Sequence, residues 1–288
     1  MEPELSANPG KIYVVATPIG NLADMSARAI ETLASVDLIL AEDTRHSLPL
    51  LRHFHIQTRC QAFHEHNEVL MAESMCQRVL GGESLAIISD AGVPLISDPG
   101  FPLVKLAHEY QIRIEPIPGA SAAITALSVS GLATARFSFE GFLPAKAAAR
   151  KKVLQALLNE RRTMIFYESP RRVLDTLTDM HDIMGAEREA VLARELTKLF
   201  ETVHKAPLEE LLDFVRQDQN QRKGEIVLLL AGQKTENNSD LLSISRNEIL
   251  QTLLADLPLK QAVSLTSQLT REKKNHLYQK ALAIKADQ

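Results

Sequence analysis

The chain has 288 residues, of which 45% are apolar and 24% charged, and its formal net charge is −4 at pH 7. These proportions are typical of a globular protein, and no stretch reaches the roughly 18 apolar residues that a membrane helix requires. At roughly 150 residues per domain, the length predicts about two domains. The N-terminal residues lack the apolar run of a secretory signal, which predicts a cytoplasmic protein. Two cysteines, Cys60 and Cys76, are too few for a disulfide framework.

Charge is distributed unevenly along the chain. Residues 1–140 carry 9 basic and 16 acidic side chains, whereas residues 141–172 carry 8 basic and 2 acidic ones. Lysines and arginines that share one face attract the phosphates of a nucleic acid even when the whole chain is slightly acidic. The segment 141–172 is therefore a candidate docking site for a polyanion, with a solvated helix face as the alternative interpretation.

The first half of the chain alternates short β-branched apolar runs with amphipathic segments, which is typical of strands and helices that repeat into a parallel sheet. The predicted strands are 12–16, 38–41, 59–63, 85–89 and 114–117. Helices are predicted at 26–35, 68–80 and 101–110. Each strand runs into polar residues, glycines or prolines, and these clusters are 17–21, 42–46, 64–68, 90–100 and 118–121. Ligands bind beyond the carboxyl ends of parallel strands, so we expect these loops to converge on one rim.

The second half predicts a mixed sheet, because its strands come at less regular spacing. They are 137–139, 164–167, 190–193, 202–205 and 226–230. Strands 190–193 and 202–205 should pair antiparallel, since the residues between them are too few for a helical crossover. Residues 233–240 are typical of a linker, and 241–288 are helical in pattern. The predicted organisation is a parallel-sheet α/β domain (11–118), a mixed-sheet α/β domain (121–232) and a small helical C-terminal extension (241–288).

The loops favour some chemistries over others. Neither G-x-G-x-x-G nor G-x-x-x-x-G-K-[ST] occurs, so the common dinucleotide and phosphate-loop interpretations lose their main support. A nucleoside without phosphates suits the loop 90–100, where Asp90 and Gly92 offer polar contacts and close backbone approach, although a tight structural turn also explains it. S-adenosylmethionine is such a ligand. Two H-x-H pairs, at 53–55 and 64–66, raise a metal hydrolase as a minor alternative, but they do not complete a tetrahedral ligand set, and no metal site is predicted.

A set of motifs covers most of the chain and carries a family resemblance. In the first half these are TPIGNLADMS, AEDTRHS, HEHNE, SDAGVPLISDPG and PGASAA, and in the second EGFLPAKAAAR, FYESPRR, ARELTKLFET and KGEIVLLL. Over residues 11–232 the sequence resembles the ribosomal RNA small subunit methyltransferase I family of the tetrapyrrole methylase superfamily. KKNHLYQKAL resembles the C-terminal extension of that family.

The resemblance implies a fold, an activity and partners. The fold is two α/β domains with S-adenosylmethionine bound in the cleft between them, usually in a homodimer. The activity is methylation of the ribose 2′-hydroxyl of a cytidine in the decoding region of small-subunit (16S) ribosomal RNA. The partner is then the small ribosomal subunit, and no membrane is involved.

By position in the motifs, the resemblance also implies cofactor contacts, several of them through backbone atoms. These residues are Pro18, Asp90, Ala91, Gly92, Val93, Ile96, Ser121, Ala122, Tyr167, Ala193, Leu196 and Gly224. Two positions depart from the family pattern. Val93 stands where threonine is common, so we expect only a shape contact there, and Ala120 stands where proline is common.

Methyl transfer to a ribose needs close positioning and benefits from a base that removes the hydroxyl proton. Candidates for the base lie at two strand ends: Glu42, Asp43, His64 and Glu65. Candidates for substrate positioning are Asn21, Arg45, Asn67, Arg194 and Lys198, and a structural role in bracing loops is equally plausible for them. Candidates for RNA docking are Lys146, Arg150, Lys151, Lys152, Arg171, Arg172, Arg271, Lys273 and Lys274.

Two further functions compete with RNA methylation. A small-molecule methyltransferase of the same superfamily, acting on a corrin or porphyrin precursor, needs neither the basic segment nor the helical extension. A non-catalytic RNA-binding assembly protein needs the basic segment but has no use for a cofactor-shaped rim. Cofactor binding and the nature of the methyl acceptor discriminate among the three.

Overall fold

The structure, a computed structural model, describes residues 10–233, 239–270 and 272–286. The chain divides into two compact units, one ending at Gln233 and the other beginning at Lys234. The first unit contains two five-stranded sheets, and the second contains three helices. In the part of the chain that the structure describes, no helix is both long enough and apolar enough to cross a membrane.

The first sheet is parallel throughout. Its strands are β1 (Ile12–Val15), β2 (Leu38–Ala41), β3 (Cys60–Ala62), β4 (Leu85–Ile88) and β5 (Ile114–Ile117). They lie in the order β3-β2-β4-β1-β5. Every residue of β2 and β4 is buried, which explains why their sequences are continuously apolar rather than alternating.

Helices cover both faces of this sheet. They are α1 (Ala27–Ser35), α2 (Thr44–His53), α3 (Glu68–Leu80) and α4 (Phe101–Glu109). Alternate residues of β2 serve the two faces: Leu38 and Leu40 pack with α3 and α4, whereas Ile39 and Ala41 pack with α1 and α2. The Asp43 carboxylate starts α2 by accepting a hydrogen bond from the Arg45 amide at 2.8 Å.

The second sheet is mixed. Its strands are β6 (Phe137–Phe142), β7 (Thr163–Glu168), β8 (Glu189–Arg194), β9 (Thr202–Pro207) and β10 (Ile226–Leu230), in the order β6-β7-β10-β8-β9. Only the pair β6 and β7 is parallel, and the other three pairs are antiparallel. Helices α6 (Ala147–Ala156), α7 (Val173–Met184) and α8 (Leu208–Gln217) pack on one face, and the helix α5 (Ala122–Val129) packs on the other.

In its described residues, the second unit contains α9 (Ser239–Asp256), α10 (Leu259–Thr270) and α11 (Lys274–Ala286). Its core is small and contains one cluster from all three helices. The buried members are Leu250, Val263, Leu277 and Ala281.

The predicted fold class is confirmed: a parallel α/β sheet, a mixed α/β sheet and C-terminal helices. The predicted antiparallel pair is β8 with β9, and its register runs from Glu189 opposite Pro207 to Arg194 opposite Thr202. The polar cluster 42–46, predicted as a loop, becomes helical at Thr44 because Asp43 caps α2. The boundary between the two α/β domains stays a prediction, since both sheets lie in one compact unit.

Candidate active site

A cavity of about 470 Å³ opens beyond the carboxyl ends of the first sheet, and residues of the second sheet close its other side. We refer to it as the acidic cavity. Four of the five loops that follow the parallel strands line it, and β3, an edge strand, is the exception among the described residues. The lining from the first half is Ile19, Glu42, Asp90, Ala91, Gly92, Val93, Ile96, Ser97, Asp98, Ser121 and Ala122. The second half adds Phe142, Tyr167, Glu168, Ser169, Pro170, Ala193, Leu196, Gly224, Glu225, Ile226 and Val227.

The loop after β4 contributes more lining than any other loop, and backbone hydrogen bonds fix its start. The Thr17 amide donates to the Gly92 carbonyl at 2.8 Å, and the Gly92 amide donates back to the Thr17 carbonyl at 3.1 Å. Gly92 has φ of +90°, and Leu95 and Ser97 are left-handed at +71° and +68°. Left-handed residues other than glycine are costly and concentrate where function requires a particular backbone shape. The loop therefore presents a fixed surface to the cavity.

Carboxylates give this cavity its charge. Five carboxylates line it: Glu42, Asp90, Asp98, Glu168 and Glu225. None of its described lining residues is lysine, arginine or histidine. Burial, together with the negative charges of Glu42 and Asp90, raises the pKa of Asp98 to about 7. Burial and the charge of Asp90 also raise the pKa of Glu42. Bound cations relieve this repulsion and phosphates increase it, so the cavity favours a cationic ligand.

S-adenosylmethionine fits the residues present. Its sulfonium and ammonium groups exceed its single carboxylate by one positive charge, which matches the acidic wall. Apolar side chains that suit an adenosine lie beside the carboxylates, including Ile19, Val93 and Leu196. Gly224 has φ of +79°, and a Cβ atom there would collide with the Glu195 side chain, so this part of the wall requires bare backbone.

An aromatic cluster around Tyr167 lies on the side of the acidic cavity that the second sheet forms. Tyr167 makes edge contacts with Phe139 and Phe142, at ring-centroid distances of 4.8 and 5.7 Å. Burial raises the pKa of the Tyr167 hydroxyl, so this group stays protonated at neutral pH. The cluster supplies an apolar surface with one polar tip.

A second cavity, also of about 470 Å³, shares Ile19, Asp90, Ala91 and Glu225 with the acidic cavity. We refer to it as the α2 cavity, because residues of that helix form much of its wall. Its remaining lining is Pro18, Gly20, Leu22, His46, Ser47, Pro49, Leu50, His53, Ser89 and Lys198. Unlike the acidic cavity, it contains histidines and a lysine.

Asp90 connects the two cavities. Its Oδ2 atom lies 2.7 Å from Nδ1 of His46, and its Oδ1 atom accepts a hydrogen bond from the Asp43 amide at 3.3 Å. The hydrogen bond and the charge of Asp90 raise the pKa of His46. Lys198 lies at the same boundary, with its Nζ 2.7 Å from Glu195 and 3.0 Å from Glu225.

The structure brings the predicted cofactor residues together with one exception. Pro18 lines the α2 cavity instead of the acidic one. The other eleven line the acidic cavity: Asp90, Ala91, Gly92, Val93, Ile96, Ser121, Ala122, Tyr167, Ala193, Leu196 and Gly224.

The four predicted bases separate. Glu42 lines the acidic cavity. Asp43 caps α2, and its hydrogen bonds to the Arg45 side chain and amide lower its pKa to about 2, which makes it a weak base. His64 and Glu65 follow the edge strand β3 and line neither cavity. His64 and Glu65 therefore stand apart from the residues that line the two cavities, since β3 lies beyond β2 in the sheet, and a role as the base stays a prediction for them.

Most of the candidates for substrate positioning make hydrogen bonds that stabilise their own loops. Arg194 is buried, and its guanidinium donates to the Phe200 carbonyl at 2.8 Å and to the Thr202 hydroxyl at 3.1 Å. The Asn67 side chain accepts from the His64 amide at 2.8 Å, which shapes the loop after β3. Arg194 and Asn67 therefore brace their loops, as the alternative interpretation expects, and substrate positioning stays a prediction for them. Of the other three, Lys198 lines the α2 cavity, Asn21 caps a short 3₁₀ turn and Arg45 pairs with Asp43.

The predicted RNA-docking residues divide into buried, ion-paired and exposed side chains. Arg150 is 4% exposed and its guanidinium lies 2.6 Å from Asp179, so burial corrects its prediction as an RNA contact. Two others are engaged at the surface: Lys151 lies 3.2 Å from Asp179, and Arg172 lies 2.7 Å from Glu168. The remaining candidates in the described residues are exposed, namely Lys146, Lys152, Arg171, Lys273 and Lys274. Arg271 lies outside the described residues.

The sequence predictions of site residues miss several residues of the two cavities, among them Asp98, His46 and Ser47. Asp98 stands in the motif SDAGVPLISDPG, and His46 and Ser47 stand in AEDTRHS, so the signal was present. Nothing in either pattern indicated that these side chains face a cavity. No three His, Cys, Asp or Glu side chains come together as a metal site within the described ranges.

Comparison with known proteins agrees with this geometry. The family model described as Tetrapyrrole (Corrin/Porphyrin) Methylases matches residues 11–212, and the model described as RsmI C-terminal HTH domain matches residues 247–285. A curated relative from Pseudomonas aeruginosa, Ribosomal RNA small subunit methyltransferase I, is 53% identical over 95% of this chain and 97% of its own length. The protein of the same name from Escherichia coli O157:H7 is 50% identical over 95% of each chain.

A solved structure is similar in fold at low identity. It is the uroporphyrin-III C-methyl transferase from Thermus thermophilus complexed with S-adenyl homocysteine, with a TM-score of 0.53, 14% identity, and coverage of 77% of this chain and 97% of its own. Fold and sequence together define a tetrapyrrole methylase. The chain belongs, within that superfamily, to the ribosomal RNA small subunit methyltransferase I family. It is an S-adenosylmethionine-dependent methyltransferase, as the resemblance implied.

Proposed function

We propose that this methyltransferase acts on small-subunit ribosomal RNA and methylates the ribose 2′-hydroxyl of a cytidine in the decoding region. The observation that carries the proposal is 53% identity over 95% of the chain to a relative whose name states the ribosomal RNA of the small subunit. The choice of ribose and cytidine comes from the family resemblance of the motifs. The acidic cavity supports the cofactor part of the reaction.

In this mechanism the residues of the chain bind the cofactor and orient the ribose toward it. Asp90, Asp98 and Glu42 present negative charge to a cationic cofactor, and backbone at Gly92 and Gly224 lets it approach closely. Bound S-adenosylmethionine supplies an electrophilic methyl group. The Tyr167 cluster supplies the apolar surface on one side of the cavity. Holding a ribose oxygen in line with that methyl group supplies up to about 7–11 kcal/mol of the barrier reduction.

RNA docking belongs to the exposed basic residues. Lys146, Lys152 and Arg171 are exposed around α6 and the start of α7, and Lys273 and Lys274 are exposed at the start of α11. The match of residues 247–285 to a helix-turn-helix domain supports a nucleic-acid role for the second unit. Aromatic residues make up only 5% of the chain, so recognition rests on shape and phosphate charge rather than on base stacking.

Partner and location follow from the substrate. An enzyme that modifies the small ribosomal subunit works where ribosomes assemble, which supports the predicted cytoplasmic location. The homodimer implied by the resemblance is part of the same proposal. Sedimentation equilibrium of the purified chain measures its oligomeric state, and a monomer across the micromolar range contradicts the dimer.

The function is tested by methyl transfer from labelled S-adenosylmethionine. The acceptors are small ribosomal subunits lacking the modification, protein-free ribosomal RNA, and a corrin precursor in parallel. We expect label on the subunits and resistance to alkaline cleavage at one cytidine, because a 2′-O-methyl group blocks attack by the 2′-oxygen. Label on the corrin precursor alone identifies a small-molecule methyltransferase instead. Cofactor binding without transfer to any acceptor contradicts the proposal.

A further inference from the structure

The α2 cavity has features of a site for a polar ligand. Ser47 is 3% exposed and lines the cavity, and its hydroxyl has no hydrogen-bond partner among the described residues. Buried hydroxyls are normally paired, so an unpaired one on a cavity wall indicates a group that a ligand satisfies. His46, His53 and Lys198 add donors to the same wall.

Its position relative to the acidic cavity indicates what the ligand is. The two cavities share four lining residues, namely Ile19, Asp90, Ala91 and Glu225. A ligand in one cavity is therefore close to a ligand in the other. One cavity suits a cationic methyl donor. The other, with hydrogen-bond donors and a volume of about 470 Å³, suits a nucleotide.

His46 stands at this shared wall in the arrangement of a base. An ionised carboxylate only accepts hydrogen bonds, so the 2.7 Å contact with Asp90 places the proton of a neutral His46 ring on Nδ1. The lone pair of Nε2 is then free to take a proton. The side chain is 68% exposed, which lets it return that proton to solvent.

We propose that the α2 cavity binds the target nucleotide and that His46, oriented by Asp90, removes the proton from the ribose hydroxyl. This inference rests on the proposed function. In the balanced step, the ribose oxygen bonds to the methyl carbon as the carbon–sulfur bond breaks, and the sulfur keeps the electron pair, giving S-adenosylhomocysteine. The hydroxyl proton goes to Nε2 of His46, and Asp90 stabilises the resulting imidazolium at Nδ1.

Other groups around His46 set its working range. Asp43 caps α2 and Arg45 lies on it, both close to His46, while Asp90 and Glu42 face His46 from two strand ends. The α2 cavity adds His53, Lys198 and Glu225. Asp90 and Asp43 raise the pKa of His46, so it is more often protonated at neutral pH than a free histidine. Methyl transfer should therefore increase with pH as His46 loses its proton.

The first experiment compares His46→Ala with His108→Ala, which removes an exposed histidine on α4. Labelled methyl transfer to unmodified subunits and calorimetric binding of S-adenosylmethionine are measured for both. We expect His46→Ala to lower kcat about 10²–10⁴-fold, with the cofactor Kd unchanged, and to flatten the acidic limb of the pH–rate profile. His108→Ala should behave as wild type. Wild-type kcat with an intact acidic limb in His46→Ala overturns the assignment.

Asp90→Asn tests the orienting role with a readout that a structural role does not move. Removing the carboxylate should lower the pKa of His46, measured by NMR titration of its ring, and shift the acidic limb of kcat to lower pH. An unchanged His46 pKa contradicts the pairing. Asp98→Asn is the competing case: if it alone removes the acidic limb while cofactor binding persists, the base is Asp98 and the proposal for His46 fails.

The nucleotide site is tested by Ser47→Ala and by Leu22→Trp, which adds bulk at a half-exposed position of the cavity wall. Both should raise KM for the subunit at least several-fold while leaving the cofactor Kd unchanged. Unchanged KM in both variants excludes the α2 cavity as the nucleotide site. Failure of the proposed function is distinct, since wild-type protein then transfers no methyl group to any RNA.

Discussion

Asp98 shows how one buried carboxyl responds to its neighbours. Its pKa is raised from 3.8 to about 7 by burial and by the charges of Glu42 and Asp90. The unfolded chain releases this proton near pH 4, whereas the folded chain retains it until about pH 7. The folded state thus binds more protons in that interval, and this residue lowers the free energy of unfolding as pH increases from about 4 to about 7.

Asp98→Asn should remove that part of the pH dependence. We expect the difference in unfolding free energy between variant and wild type, measured by urea denaturation without cofactor, to move in favour of the variant from pH 5 to pH 7 and to level off above pH 7. A difference that is constant across this range contradicts a raised pKa at Asp98.

The pH dependence of cofactor binding should also show the ionisation of Asp98. A cationic ligand favours the ionised carboxylate, so wild-type affinity for S-adenosylmethionine should increase as pH rises through about 7. In Asp98→Asn the affinity should be weaker at pH 8 and nearly independent of pH around 7. Isothermal titration at pH 6, 7 and 8 measures both proteins, and parallel pH curves for the two would argue against a contact with the cofactor.

Arg150 and Lys152 lie two residues apart on α6 and should behave oppositely. Arg150→Ala leaves Asp179 buried with only the more distant Lys151 as a partner, and we expect a decrease of about 3–5 kcal/mol in unfolding free energy. Lys152→Ala changes an exposed side chain, so stability should stay within about 0.5 kcal/mol while binding to subunits weakens. Denaturant unfolding and a filter-binding assay separate the two effects, and equal decreases in stability would disprove the assignment.

At the scale of single elements, the loop after β4 depends on its backbone more than on its side chains. Gly92 is left-handed and shares two backbone hydrogen bonds with Thr17, which lock the loops after β1 and β4 together. The space around its missing Cβ is ordinary, with the nearest atom 3.5 Å away on Ile19. The constraint at this position is therefore conformational rather than steric.

Gly92→Ala should cost about 1–2 kcal/mol of stability, because a side chain disfavours left-handed backbone. If the loop relaxes to avoid that cost, its cofactor contacts shift, and we expect S-adenosylmethionine affinity to fall at least about tenfold. Gly185→Ala is the matched control: Gly185 is also left-handed, it has open space around it, and it ends α7 away from both cavities. The control should be less stable than wild type and keep its affinity.

Across the whole molecule, acidic and basic side chains are concentrated in different places. The acidic cavity concentrates carboxylates, whereas exposed lysines lie around α6 and at the start of α11. If the proposed RNA docking is correct, this separation lets one slightly acidic chain bind a cation in its cavity and a polyanion at its exposed lysines.

Replacing Lys273 and Lys274 together by alanine should therefore affect docking alone. If both lysines neutralise phosphates, the slope of log affinity for subunits against log salt should decrease by about 0.7–0.9 for each lysine removed. Cofactor affinity should not change. Binding measured between about 50 and about 200 mM salt gives the slope for both proteins. An unchanged slope removes these two lysines from the RNA-binding surface.

The sheets and most of the cofactor wall were predictable from the amino-acid sequence. Strand positions follow from short apolar runs, and the carboxyl ends of parallel strands necessarily share one edge, so the loop after β4 and Ser121 were predictable as neighbours. The motif resemblance also predicted that this wall includes Tyr167 on β7 and Gly224 in the loop before β10. The helix cap at Asp43 was not predicted, since residues 42–46 are predicted as a loop and only the structure shows that α2 begins at Thr44.

Which polar residues are available for chemistry depends on tertiary packing. Strand order put β3 beyond β2, and His64 and Glu65, which follow β3, line neither cavity, whereas the loop after β5 at the other edge lines the acidic cavity. Long-range pairing buried Arg150 against Asp179 and brought Asp90 to His46 across 44 positions of sequence. Charge and residue type are local properties of a chain, whereas burial and partnership depend on which elements pack together, and no local pattern encodes them.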